Sequence, residues 1–141
     1  MTVQRFIHVG MPCRVFHGAG CVDVLPDEVR GLDANRVMLC CTKSRVTDVG
    51  AIVSALGDRL VGICDAARIF VPIEAGEAGR AMAADLDADC LVSYGGGTAV
   101  GLAKAIALEL DIPIIGIVTT YSGSETTALQ GIIGRDGVRT N

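Results

Sequence analysis

The chain has 141 residues, half of them hydrophobic and one-fifth charged, with a formal net charge of −4 and no tryptophan. That suits a single domain with an aliphatic core. The acidic balance gives no basic footprint for nucleic acid, and the 4% aromatic content leaves little for stacking on bases.

The opening stretch, MTVQRFIHVGMPC, has no apolar segment behind a basic start, so no secretory signal is visible. Residues 15–20 (VFHGAG) read as a short strand ending in a glycine-rich turn, and Leu25–Pro26 opens a short helical stretch. Strands are predicted at 36–41 (RVMLCC), 60–64 (LVGIC), 89–94 (DCLVSY) and 113–118 (PIIGIV). Between the first two, Val46, Val49, Ile52, Val53 and Leu56 form one apolar stripe at helical spacing. Residues 73–87 do likewise, leaving Glu77, Arg80, Asp85 and Asp87 for solvent. Continuous apolar strands separated by helices imply a parallel sheet covered on both faces, an α/β fold of Rossmann-like type. The run 129–141 carries a D-G turn between short apolar stretches, which predicts a hairpin. The longest apolar run, IPIIGIV at 112–118, is far short of the roughly 20 residues needed to cross a bilayer, so no membrane partner is expected.

The six cysteines contain no C-x-x-C pair, and several fall inside the strand-like runs. Reduced thiols in a cytoplasmic core are expected, not a disulfide framework or a zinc site. In a strand, Cys40 and Cys41 would point to opposite faces.

Two stretches carry chemistry. In SYGGGTAVGLAKAIALE (93–109), Gly95, Gly96 and Gly97 end a predicted strand and lead into a helix beginning near Thr98. Glycines there let an anion approach the backbone, and the helix's N-terminal N–H groups would face it. The Thr98 hydroxyl would cap that helix or bond a phosphate oxygen. The generic dinucleotide pattern is imperfect, because Val100 holds its third glycine position; Lys104 does not complete a Walker A loop. Structural turn and nucleotide cradle both stay open. The second stretch, TTYSGSETT (119–127), places hydroxyls after another strand, on the same expected rim. It reads as a hydroxyl-rich turn with Thr119 or Ser124 capping a helix, or as the other wall of a dinucleotide groove.

VFHGAG, YGGGTAVGLAKAIALE and TTYSGSETT, in this order and spacing, resemble the amino-terminal domain of the iron-containing alcohol dehydrogenase superfamily. Its fold is shared by glycerol dehydrogenase and dehydroquinate synthase. Within the superfamily the resemblance is strongest to the maleylacetate reductases. Iron-dependent alcohol dehydrogenases usually carry Asp three residues after the hydroxyl of their glycine motif, where this chain has Gly101, and their T-T-x-G-T-G-S-E loop is longer than T-T-Y-S-G-S-E.

The resemblance implies a cofactor, NADH or NADPH. Gly95, Gly96, Gly97 and Thr98 would hold its pyrophosphate. Thr119 and Thr120 would line the adenine and ribose side, and Ser124 would lie near the cofactor or substrate cleft. Thr42, followed by Lys43, stands where many relatives place an Asp that selects NAD; losing that carboxylate removes repulsion against a 2′-phosphate. The implied reaction reduces maleylacetate, a small dicarboxylate, to 3-oxoadipate in the breakdown of aromatic compounds. Residues 1–141 would then be one NAD(P)-binding domain, cut short of the helical catalytic domain, in an enzyme expected to be a homodimer.

That second domain supplies an Asp and three His to the metal in the iron enzymes. Only His8 and His17 occur here, and His17 in the VFHGAG turn reads as a packed or surface residue, so no metal site and no catalytic residue are assigned to this chain. An iron-dependent alcohol dehydrogenase, or a non-catalytic nucleotide-binding module paired with a separate chain, are the alternatives. Without its partner domain the chain is expected to expose an apolar face and to have marginal turnover.

Overall fold

The computed structural model describes residues 13–127 and 131–140. Its centre is a sheet of four strands: β1 (Val37–Cys40), β2 (Leu60–Cys64), β3 (Cys90–Gly95) and β4 (Ile114–Val118), in the order β2-β1-β3-β4. All three pairings are parallel. Each strand falls on a predicted run, to within a residue. A parallel strand covered on both faces needs an apolar side chain at nearly every position, so its signal is a continuous run.

Helices α1 (Leu25–Gly31) and α2 (Gly50–Leu56) cover one face, where Val29, Ile52 and Leu56 meet Val37, Leu39 and Val92. Helices α3 (Ile73–Asp85) and α4 (Gly97–Leu110) cover the other, where Ala83, Leu102 and Ile106 meet Met38, Cys40 and Leu91. Burying a side chain such as Ile106 contributes about 1.5–3 kcal/mol. Cys40 joins the second cluster and Cys41 the first, so the adjacent thiols do point to opposite faces. All six cysteines are free thiols, four of them buried.

Three expectations are corrected. Residues 15–17 form no strand; Val15 is 74% exposed, and the turn at Gly18 and Gly20 leads into a 3-10 turn at Cys21–Val24. Two apolar residues beside a glycine turn, with no described strand to accept their backbone groups, cannot sustain a ladder. The helix expected from Val46 begins only at Gly50; Lys43–Asp48 is a 3-10 segment, and Val46 is exposed. Val49, Ile52 and Leu56 are the part of that stripe that is deeply buried. Arg80 is not left to solvent. Its guanidinium donates to the Ala105 carbonyl at 2.9 Å and lies 3.3 Å from a Glu109 carboxylate oxygen, tying α3 to α4.

The D-G hairpin forms, with β5 (Ile132–Ile133) antiparallel to β6 (Arg139–Thr140). His17 is exposed, whereas His8 lies outside the described residues. No described helix is long and apolar enough to cross a membrane.

Strand order positions the site. From β1 the chain moves outward to β2; from β3 it moves the opposite way to β4. The order therefore reverses between β1 and β3, the point at whose carboxyl-end crevice the ligands of open α/β sheets gather.

Candidate functional site

Gly95 ends β3 with φ +143°, a conformation that L side chains rarely adopt. Gly96, the residue before α4, has ordinary extended backbone, and its carbonyl accepts the N–H groups of Ala99 at 3.0 Å and Val100 at 3.2 Å. Gly97 opens α4. A Cβ added there would lie 2.7 Å from Ser122 Oγ and 3.3 Å from Ser124 Oγ, so the position requires glycine's close approach.

The expected Thr98 cap does not form. Gly96 occupies the cap position, Thr98 is already the second helical residue, and no side chain caps α4. Its first turn also carries no acidic residue. The helix therefore presents uncapped N–H groups and the positive end of its dipole to the crevice.

The hydroxyl stretch follows β4 and folds back over the glycines. The Thr119 N–H donates to the Gly95 carbonyl at 2.9 Å, and Thr120 Cβ lies 3.5 Å from where a Gly96 Cβ would stand. Neither Thr119 nor Ser124 caps a helix, since Gly123 precedes the 3-10 turn Ser124–Thr126 and no side chain bonds its end. Instead Ser122 Oγ accepts the Ser124 N–H at 3.2 Å, and the Ser122 hydroxyl donates to Glu125 at 3.0 Å. The Glu125 carboxyl is held below its ordinary pKa, first by its own backbone N–H and further by Gly123 and Ser122.

Thr42 stands just past β1, on the other side of the reversal point. It bridges to Ala66, and its hydroxyl lies 3.1 Å from that of Ser44. The structure thus brings Gly95–Gly97 together with Thr119–Ser124, and leaves Thr42 as a separate group at the end of the neighbouring strand. A nearby open groove lined by Arg68, Pro72 and Glu74 contains none of these residues.

Sequence reading missed Ser122, Glu125 and Lys104. The Lys104 ammonium donates to the carbonyls of Ser124 and Thr127, which ties the hydroxyl loop to α4. Burial lowers its pKa, partly offset by Glu125. The available signal was a lone charge inside an otherwise apolar helix face.

The buried thiols are not poised as nucleophiles. Burial pushes Cys90 up to about 12, with Asp89 adding to it, and burial first raises Cys40 as well, followed by its neighbours Cys64 and Cys41. Among the described residues no three His, Cys, Asp or Glu side chains converge to hold a metal ion.

A doubly wound α/β domain with a glycine turn, an uncapped helix and a hydroxyl loop at its reversal point defines a limited class of proteins. Residues 12–140 match the model of the iron-containing alcohol dehydrogenase family, and the chain belongs to that family. It is 39% identical over 137 residues to a maleylacetate reductase of Sphingobium indicum, covering 97% of this chain and 38% of that protein. A maleylacetate reductase of Burkholderia cepacia is 41% identical over 119 residues, covering 84% of this chain and 34% of that protein. The crystal structure of a maleylacetate reductase from Agrobacterium tumefaciens superposes with a TM-score of 0.91 at 36% identity, covering 98% of this chain and 39% of that one. The chain therefore spans less than two-fifths of these relatives' length.

Proposed function

We propose that this chain is the NAD(P)H-binding part of a maleylacetate reductase-type oxidoreductase. The observation that carries the reading is the uncapped N-terminus of α4, reached through Gly95–Gly97 at the point where strand order reverses and walled by the 119–124 loop. Such a helix end favours a diphosphate, and no acidic residue in its first turn opposes one. The residues present fit the group. The backbone N–H groups of Gly97 and Thr98, with the Thr98 hydroxyl, would hold the pyrophosphate. Thr119 and Thr120 would line the adenine and ribose side, with Ser124 toward the substrate cleft.

When bound, the reduced nicotinamide supplies the hydride that, with a proton, converts the carbon–carbon double bond of maleylacetate into 3-oxoadipate. The chain's own residues bind and orient the cofactor. The remaining catalytic groups and the other wall of the dicarboxylate cleft belong to a helical domain beyond the matched region, in a homodimeric enzyme. At the ribose end Thr42 and Lys43 offer no carboxylate, so both NADH and NADPH are accepted.

Gly101 supports the reductase branch over the iron-dependent alcohol dehydrogenases. A Cβ at 101 would lie 2.9 Å from Val71 Cγ2, so an aspartate there would press on the Val71 side chain.

Gly96→Ala tests the cradle. Its backbone is ordinary and a Cβ would make only normal contact with Thr120, so the fold should hold. Titration followed by nicotinamide fluorescence should show wild-type binding of both cofactors, weakened about tenfold or more by the methyl group. Absence of wild-type binding, or unchanged affinity in the variant, would overturn the assignment.

A further inference from the structure

We propose that Lys104 is a positioning residue that sets the 119–127 loop against the mouth of the glycine turn. Helix α4 is otherwise apolar where it meets the core; Ala99, Val100, Leu102, Ala103, Ala105 and Ile106 are all buried. Lys104 is the only charged residue between its start and Glu109. It lies seven residues after Gly97, which is close to two helical turns, so both stand on one face. Along that face runs the loop. Gly97 receives Ser122 in the space a Cβ would fill, and the Lys104 ammonium reaches the Ser124 and Thr127 carbonyls.

One carbonyl belongs to the opening residue of the 3-10 turn Ser124–Thr126 and the other to the residue just after it, so one cation spans the turn. At its other end the loop is held by the backbone bond from Thr119 to Gly95. The hydroxyls between these anchors are exposed at Thr119, Thr120 and Ser122 and half-buried at Ser124. They have little packing to fix them. A half-buried ammonium is a strong donor, and its removal leaves two carbonyls competing for water, which loosens the distal anchor. Lys104 thus acts on ligand binding through the loop, by way of the Ser124 and Thr127 carbonyls.

The effect on cofactor rests on the reading proposed above; the anchoring does not. Hydrogen exchange of the 141-residue chain without ligand therefore tests the anchor independently. Lys104→Met should raise exchange of the 119–127 amides about tenfold while β1 and β3 stay protected, and Lys104→Arg should restore most of the protection. In parallel, Lys104→Met should weaken NADH binding about tenfold, with recovery in the Arg variant. Unchanged exchange across 119–127 would overturn the inference, as would a uniform rise over the whole chain in both Lys104→Met and the milder Lys104→Gln. Should the wild-type chain bind neither cofactor, the exchange result still decides the role of Lys104, and only the cofactor assignment falls.

Discussion

The glycine turn at 95–97 and the hydroxyl loop at 119–127 share one rim but are held by different means. The turn is fixed by backbone, as the end of β3 running into α4 with a left-handed φ at Gly95. The loop has one backbone anchor, from Thr119 to Gly95, and is otherwise fixed by side chains: Lys104 reaching from α4, and Glu125 bonding Ser122 within the loop. Backbone geometry thus shapes the glycine turn, and side-chain bonds shape much of the hydroxyl loop beside it.

Breaking the turn should have the largest effect. Gly95→Ala forces an L side chain into φ +143° with its Cβ 3.1 Å from that of Ala99, and should cost about 1–3 kcal/mol in chemical denaturation. Disturbing the fit between turn and loop comes next. Gly97→Ala drives a methyl against Ser122, whose Oγ and Cβ lie 2.7 and 3.0 Å from the new atom. Ser122→Gly removes both obstructing atoms, so a double-mutant cycle should show coupling of about 0.5–3 kcal/mol. A pair that adds independently would mean the two segments are not in register.

Acidification should act on the loop alone and most weakly. Glu125's carboxyl is depressed in the folded chain, so its stabilising contribution is present above its unfolded pKa and is lost as pH falls through its folded one. Exchange of the 119–127 amides, corrected for intrinsic rate, should therefore rise below the ordinary carboxylate range, and Glu125→Gln should flatten that profile. Equal pH dependence in the turn and the loop would erase the contrast between them.

The same division explains what the sequence made visible. The four parallel strands and the helices facing them announce themselves by local pattern, because the periodicity that buries them lies within each segment. Gly95–Gly97 were legible for a related reason, since glycine's value is to the backbone at its own position. Ser122 meeting Gly97, and Lys104 meeting Ser124 and Thr127, join residues about 20–25 apart through tertiary packing, which no local spacing encodes. Arg80 was misjudged similarly, because its partners Ala105 and Glu109 arrive only when α3 lies on α4. The VFHGAG segment has strand composition but no described strand beside it, and backbone pairing outweighs composition there.

Val71 lying on Gly101 makes α4 and the distant hairpin parts of one mechanical linkage. Val71 has φ +32°, its N–H bonds to the Arg68 carbonyl at 3.1 Å, and its own carbonyl takes the Ile133 N–H at 3.2 Å. Bulk gained at 101 meets the Val71 methyl first, and the backbone bond to Ile133 joins that residue to β5. A larger residue at 101 is therefore best matched by a smaller one at 71.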